Sequence, residues 1–276
     1  MKTETRAALP DLIGRNSELR RVRAAVRARE SFLIWGPADA GKTALVKKAI
    51  SEVPERERQG CIYWSGAASV RQLAEELLRR FYAAGDPCVH KKVPEDRSGR
   101  ETSADSWFRD RSSGQLKALF YLAAAKSRYA IFLDHMPPAT QPMARFLKQI
   151  IWRCHTPVYL LAPGCDREDI GHAWSIYFAE QYHIAIGPLS PAFARELLER
   201  SIRRFALDRF DLSGFRDDIL RMSGHLPGSL VKMCELAAQP RYHYGDQIKV
   251  NLVHVDYLMR RDPLASHRAA FTSGTF

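Results

Sequence analysis

The chain has 276 residues, of which 46% are hydrophobic and 26% are charged. This composition is typical of a globular protein, and the length allows one sizeable α/β core with a small second domain. No stretch approaches about 18 consecutive apolar residues, so we expect no membrane span. The N-terminal residues lack the apolar core of a signal peptide, which makes the cytoplasm the expected location.

Lysine and arginine outnumber the acidic residues, 42 to 31, and give a formal net charge of +11. A basic balance favours contact with nucleic acid or acidic partners, although it also occurs in proteins that bind neither. The five cysteines are scattered and form no C-x-x-C pair. The sequence therefore favours neither a disulfide framework nor a zinc module.

Apolar runs alternate with stretches of helical periodicity through residues 1–188. Short runs typical of buried strands occupy residues 31–35, 61–64, 129–133, 158–162 and 184–186, and helical periods occupy 17–29, 43–53, 70–84, 115–126 and 143–153. This alternation predicts a parallel sheet covered on both faces, a three-layer α/β/α core. Residues 85–112 are polar and contain proline and glycine, so we interpret them as a long loop or mobile insertion.

The remainder of the chain turns helical. Helical periods cover residues 191–205, 214–222 and 228–238, and a further one covers 250–260. We therefore predict a core at 1–188, a compact helical subdomain at 189–240 and a C-terminal tail at 241–276.

The strongest motif follows the first predicted strand. It reads Gly36-Pro37-Ala38-Asp39-Ala40-Gly41-Lys42-Thr43 and fits G-x-x-x-x-G-K-[ST] at every fixed position. In such a loop, backbone N–H groups curl around phosphate oxygens at a helix N-terminus. Lys42 would reach the β- and γ-phosphates of ATP, and Thr43 would bind Mg²⁺. The alternative is a chance glycine loop before a helix. Asp39 is unusual, because it places a negative charge beside the predicted phosphates.

A second signal lies at the end of the third predicted strand. The apolar run 129–133 ends in Asp134, where a carboxylate would hold Mg²⁺ opposite Thr43. The alternative is an aspartate that only caps the strand. His135 stands where many ATPases have a glutamate that orients the attacking water. A neutral imidazole can take that role, but slow hydrolysis is equally consistent, and Asp166 or Glu168 remain alternative bases.

Together these segments resemble a known group of ATPases. Residues 12–19 (Leu-Ile-Gly-Arg-Asn-Ser-Glu-Leu), the glycine-rich loop and Leu133-Asp134 resemble the opening of AAA+ and STAND-type ATPases. Residues 186–190 look like the link into the lid of that group, and residues 223–227 are similar to its glycine–proline signature. The resemblance implies a P-loop NTPase fold in which Ile13, Gly14 and Pro227 flank the adenine and the helical subdomain is the lid.

The resemblance also suggests a function, and this sequence differs from the group at several positions. Its relatives include transposition-helper, secretion-helper and initiator-like ATPases, which implies a nucleotide-driven switch, a protein partner not identified by the sequence, and nucleotide-dependent homo-oligomers. The polar sensor residue expected after the fourth strand is missing, and Gly228 replaces the lid arginine after the proline. Arg167 is a candidate sensor or arginine finger, or else a solvated loop residue.

We therefore predict an ATPase that uses Lys42, Asp134 and His135, with ATP and Mg²⁺ as ligands and a role as a switch or helper, including in DNA-linked processes. One alternative is a regulatory module that binds nucleotide and scarcely hydrolyses it. A small-molecule kinase is less favoured, because such kinases usually lack the Gly14-Arg15 opening. The N-terminal helix predicts non-specific DNA contact through five arginines: Arg20, Arg21, Arg23, Arg27 and Arg29.

Overall fold

The computed structural model describes residues 12–58, 60–66, 69–93 and 102–261. These residues fall into two compact units. The first comprises 16–38 and 42–186, and the second comprises 12–15, 39–41 and 187–261. No helix in the described ranges has both the length and the apolar character needed to cross a bilayer.

The first unit is built on a five-stranded parallel sheet with the order β2-β3-β4-β1-β5. Its strands are β1 (Phe32–Trp35), β2 (Cys61–Ser65), β3 (Ala130–Asp134), β4 (Val158–Leu161) and β5 (His183–Ala185). Strand β4 lies between β1 and β3, with Leu160 opposite both Leu33 and Leu133. All residues of β3 and β4 are buried, as the continuous apolar runs require for a sheet covered on both faces. The predicted parallel sheet is confirmed.

Nine α-helices and two 3-10 helices, His172–Ile176 and Glu180–Tyr182, are described in the first unit. The α-helices are α1 (Asn16–Ala28), α2 (Lys42–Ser51), α3 (Glu55–Arg58), α4 (Val70–Ala83), α5 (Pro87–His90), α6 (Thr102–Arg109), α7 (Ser113–Lys126), α8 (Gln141–Cys154) and α9 (Arg167–Ile170). Helix α7 contacts α4 and α8, whereas α1 contacts α2 and β5. Helices α4, α7 and α8 begin at side-chain caps; Ser112, for example, forms a capping box with Gln115 at the start of α7.

Alternate strand residues face the two helical layers. Leu33 and Leu133 belong to the large apolar cluster formed with α4, α7 and α8. Their sequence neighbours Phe32 and Phe132 contact Tyr159 instead, with ring centroids 4.5 and 4.4 Å apart. Because side chains alternate along a strand, these aromatic residues lie on the opposite face. The core therefore has the predicted three layers.

Residues 85–112 differ from the predicted mobile loop. Their described part contains α5 and α6, and Val89 and Phe108 are buried in the main apolar cluster. The buried Asp86 caps α5 by accepting two backbone N–H groups. The described part is therefore helical and packed on the core rather than a long loop, and residues 94–101 lie outside the described residues. A few apolar side chains that reach the main core are enough to anchor short helices in a polar sequence.

The second unit is mainly helical. It contains α10 (Pro191–Arg204), α11 (Phe215–Ser223), α12 (Pro227–Ala237), α13 (Val250–Arg261) and a short antiparallel ladder of β6 (His243–Tyr244) with β7 (Gln247–Ile248). Val253 and Tyr257 of α13 share one buried cluster with Leu198 and Leu230. The described part of the predicted tail thus belongs to the helical core, because one face of α13 is apolar. Residues 262–276 lie outside the described residues.

Candidate functional site

The glycine-rich segment connects β1 to α2. A side chain on Gly36 would overlap the carbonyl oxygen of Ile186, and the Gly36 N–H donates to the carbonyl of Gly164 at 3.2 Å. Gly36 also has φ +149°, which favours glycine. The first fixed glycine of the motif is therefore required by close approach of backbone at the end of β1.

Lys42 is buried at the start of α2, with 8% exposure. Its ammonium donates to the carbonyl oxygens of Gly36 and Pro37 at 2.7 and 2.8 Å. A buried ammonium is costly unless it is bonded, and these carbonyls hold it at the loop. A phosphate oxygen at the loop can replace a carbonyl as acceptor and would add an opposite charge.

Asp134 is the centre of a compact hydrogen-bond cluster at the end of β3 and is only 2% exposed. The Thr43 hydroxyl donates to Oδ2 of Asp134 at 2.6 Å. The Tyr63 hydroxyl donates to the same oxygen, and the backbone N–H of His135 donates to Oδ1 at 2.9 Å. The structure therefore brings together the two predicted metal ligands, Thr43 and Asp134.

Tyr63 was missed by sequence reasoning. It lies on β2, opposite Phe132 in the sheet register. Burial, followed by the hydrogen bond to the Asp134 carboxylate, raises the pKa of Tyr63 above its ordinary value. The phenol therefore stays protonated and donates to Asp134 at neutral pH. The only available sequence signal was a hydroxyl-bearing residue within an apolar strand, which does not name its partner.

His135 follows Asp134 in a left-handed backbone conformation, with φ +50°. Its side chain is 67% exposed, and its Nε2 lies 3.7 Å from Oδ2 of Asp134. The imidazole is thus adjacent to the carboxylate but open to solvent. This placement lets it contact a water molecule, but its exposure gives it little positional constraint.

The other polar candidates cluster after β4. Asp166 is the N-cap residue of α9 and Glu168 lies in the first turn of that helix. The Arg167 guanidinium lies over the Trp174 ring, 4.7 Å from its centroid. At the end of β4 itself, Ala162 is buried and apolar, as the sequence indicated. Arg167 thus has a cation–π partner in the structure.

The second unit gathers the residues predicted to flank the adenine. Gly14 lies against the Phe193 ring, and Ile13 is half-buried. Pro227 is the first residue of α12, and a Cβ on Gly41 would lie 3.5 Å from its Cγ. The Pro227 ring therefore lies beside a residue of the glycine-rich loop.

Two further residues of the second unit bear on the loop. Arg15, which sequence reasoning did not assign a role, is buried and donates to the carbonyl oxygens of Ala40 (3.1 Å) and Gly187. Asp39 has φ +64° and contacts Lys232. Arg15 thus holds the loop backbone at Ala40, and Lys232 holds the side chain of Asp39.

The residues present fit a Mg²⁺–nucleotide complex. Among the described residues, no group of three or more histidine, cysteine or acidic side chains is placed to hold a metal ion. Thr43 and Asp134 instead offer two hard oxygen ligands that bond to each other, and Thr43 directly follows the buried Lys42. Mg²⁺ is commonly held by one or two protein oxygens together with phosphates and water. The two oxygen ligands therefore suit a Mg²⁺ ion that is also coordinated by the phosphates of a nucleotide.

The arginines of α1 are largely occupied within the first unit. Arg21 donates to the carbonyl of His183 at 2.7 Å, and Arg29 donates to the carbonyl of Tyr129 at 2.8 Å. Arg23 forms an ion pair with Glu52. Three of the five predicted DNA-contacting arginines are thus bonded within the first unit: Arg21 and Arg23 of α1, and Arg29 just after it.

Comparison with known proteins gives the class of the fold. No protein-family model matches the sequence, and no curated protein matches it. Solved structures do match, at TM-scores above 0.5. With the parallel sheet, the loop after β1 and the helical second unit, they identify the fold as that of P-loop ATPases of the AAA+ group.

Three solved structures illustrate the similarity. A Walker-type ATPase of Pyrococcus abyssi has a TM-score of 0.52 and 15% identity over 92% of this chain and 77% of that one. The Orc1 protein of Aeropyrum pernix in complex with DNA has a TM-score of 0.54 and 13% identity over 91% of this chain and 67% of that one. Cdc6p of Pyrobaculum aerophilum has a TM-score of 0.54 and 10% identity over 85% of this chain and 64% of that one. The chain thus spans about two thirds to three quarters of these proteins, and the low identities show the fold alone.

Proposed function

We propose that this protein is a Mg²⁺-dependent ATP-binding switch of the AAA+ kind with slow hydrolysis. One observation carries the proposal: the buried Lys42 ammonium lies in a glycine-rich loop whose next residue, Thr43, bonds to the buried Asp134 carboxylate. A cation, a hydroxyl and a carboxylate in this order are the parts that position a metal and a polyphosphate for phosphoryl transfer.

Each residue has a distinct proposed role. Lys42 neutralises charge on the β- and γ-phosphates, and Thr43 and Asp134 hold Mg²⁺. Tyr63 fixes the Asp134 carboxylate through its hydroxyl. His135 orients the attacking water. When bound, ATP supplies the phosphoanhydride whose hydrolysis resets the switch.

The residues of the second unit contact the base in this proposal. Ile13, Gly14 and Pro227 border the adenine, and the loop segment 36–43 supplies backbone N–H groups to the phosphates. The same unit would present different surfaces to a protein partner, or to a second copy of the chain, in the ATP and ADP states.

A regulatory module with little turnover is the second candidate. The 67% exposure of the His135 side chain favours it, because a loosely held imidazole orients water poorly. A small-molecule kinase would need an acceptor site in addition to the loop. Measuring phosphate release from ATP, with and without an acceptor screen, separates these readings.

DNA is a proposed additional ligand. The Orc1 structure is a complex with DNA, and this chain carries a formal net charge of +11. Contact with phosphates through exposed arginines would be insensitive to base sequence and strongly weakened by salt.

The test of nucleotide binding is the substitution Lys42→Ala. We expect it to abolish MgATP binding at millimolar nucleotide in calorimetry, because the loop loses its cation on the phosphates. Lys48→Ala is the matched control, since Lys48 lies on the same helix and pairs with Glu52 at 3.7 Å. Unchanged affinity in Lys42→Ala would refute the nucleotide site.

A further inference from the structure

Asp39 carries a negative charge in the middle of the loop proposed to bind phosphates. Its backbone has φ +64°, a conformation that aspartate tolerates better than most residues. Conformation therefore explains why aspartate can occupy the position, but not how its charge is accommodated. A carboxylate beside phosphate groups would oppose their binding.

The structure shows what neutralises this carboxylate. The Lys232 ammonium donates to Oδ1 of Asp39 at 2.8 Å, and the Tyr257 hydroxyl donates to Oδ2 at 2.8 Å. The Ser229 hydroxyl lies 3.5 Å from Oδ2 and 2.6 Å from the Tyr257 hydroxyl. Both carboxylate oxygens are thus held by side chains of α12 and α13.

These contacts form a built arrangement within the second unit. Ser229 and Tyr257 are buried, with 1% and 4% exposure, and the Asp39 side chain is 14% exposed. The backbone N–H of Gly228 donates to the Asp39 carbonyl at 2.8 Å. A Cβ on Gly228 would lie 2.9 Å from the Asp39 side chain, so only glycine permits this approach.

Lys232 differs from the other members because its side chain is 58% exposed. It contributes a full positive charge, whereas Tyr257 and Ser229 contribute hydrogen bonds only. Removing Lys232 would leave the Asp39 carboxylate with the hydrogen bonds from Tyr257 and Ser229 but without this positive charge. The lysine therefore places a positive charge directly on the loop aspartate.

We propose that Lys232 is a positioning residue for the phosphate site and acts through Asp39, by neutralising the loop carboxylate and holding it in place. This inference rests on the proposed nucleotide function and adds a determinant of affinity from outside the motif. The ligand class is a nucleoside polyphosphate. Because the effect is electrostatic, it scales with ligand charge and weakens in salt.

The test is a double-mutant cycle on the full chain with Lys232→Met, Asp39→Asn and the two combined. Dissociation constants are measured for MgATP and MgADP at low and high KCl. We expect Lys232→Met to weaken MgATP binding about fivefold, the scale of losing one positive charge near a partly exposed site, and to weaken MgADP binding less. In the Asp39→Asn background, Lys232→Met should have almost no effect.

Two controls separate charge from structure. Lys232→Arg should restore near-wild-type affinity, and Lys249→Met should leave it unchanged, since Lys249 contacts Tyr244 of the same unit at 5.0 Å from the ring centroid and lies outside the Asp39 contacts. Thermal unfolding identifies any variant that does not fold; Asp39→Asn keeps the side-chain shape and Lys232→Arg keeps the positive charge, so these two variants carry the test in that case.

The outcomes are distinct. Equal weakening by Lys232→Met in both backgrounds would show that the lysine acts on the nucleotide itself and would overturn the inference. No weakening in the wild-type background would overturn it as well. If the wild-type chain bound no nucleotide, the proposed function itself would fall, and the inference with it. If the wild-type chain binds MgATP but the effect of Lys232→Met is the same with Asp39 and with Asn at that position, the inference is refuted and the proposed nucleotide site is not.

Discussion

Phe108→Ala tests whether the polar region 85–112 is part of the core. Phe108 is 1% exposed, its ring makes an edge contact with Trp107 at 5.3 Å, and the Arg79 guanidinium lies 5.3 Å from its centroid. Phenylalanine-to-alanine changes at such sites cost about 3–5 kcal/mol, because apolar burial is lost and a cavity remains. We expect the free energy of unfolding of the first unit to fall by about 3 kcal/mol.

Urea unfolding followed by tryptophan fluorescence measures this change. All five tryptophans, at positions 35, 64, 107, 152 and 174, lie in the first unit, so the signal reports that unit alone. With a urea dependence of about 2 kcal/mol per M, the midpoint should fall by about 1.5 M. Phe178→Ala is the matched control: Phe178 is 73% exposed, and its removal should cost less than about 0.5 kcal/mol.

Equal, small effects of the two substitutions would refute the reasoning. Phe108 would then contribute no more than a surface residue, and packing of 85–112 against the main cluster would not stabilise the first unit. If Phe108→Ala is destabilising as expected, deletion of 85–112 should also impair folding, because Val89 and the buried Asp86 would be lost with it.

The remaining predictions concern the proposed site and DNA. His135→Glu should raise the basal rate of phosphate release by the isolated protein, because a carboxylate orients water better than an exposed imidazole; an unchanged rate would assign water orientation to another residue. Asp134→Asn should remove Mg²⁺-dependent turnover, and activity retained in Mg²⁺ titrations would contradict its role as metal ligand. Tyr63→Phe keeps the ring, which lies 5.3 Å from the Lys47 ammonium, but removes the hydroxyl that donates to Asp134. More Mg²⁺ should then be needed for half-maximal nucleotide binding. An unchanged Mg²⁺ titration would show that the hydroxyl does not position Asp134. Arg20→Ala with Arg27→Ala should weaken DNA binding in low-salt anisotropy and reduce its salt dependence, and no loss would place DNA contact elsewhere.

The strand-and-helix order could be predicted from sequence because it depends on local pattern. The apolar runs at β3 and β4 are continuous, since a parallel sheet buries both faces, and each run is bounded by turn residues. The helical periods of α8 and α10 begin at the caps Thr140 and Ser190. Region 85–112 was misinterpreted because its average polarity concealed the apolar residues that anchor α5 and α6.

The polar partners of the site could not be predicted in the same way. Tyr63 bonds to a residue 71 positions away, and Asp39 bonds to residues 193 and 218 positions away. No periodicity links such residues, and hydroxyl and ammonium groups on a helix surface are usually solvated. The motif identified Lys42, Thr43 and Asp134 because spacing along the loop and position at a strand end are local features. The residues that position or neutralise them depend on tertiary contact.

Net charge is also a poor guide to partners, because it does not show which cations are already bonded by tertiary contacts. Arg21 and Arg29 each donate to a backbone carbonyl, and Arg23 pairs with Glu52. A guanidinium that donates to carbonyl oxygens where strands begin counts as a cation in the composition but is already bonded within the fold. Breaking those contacts to reach DNA phosphates would offset part of the binding free energy. An affinity for DNA in this chain should therefore follow the exposed arginines that make no such contact, rather than the total charge of +11.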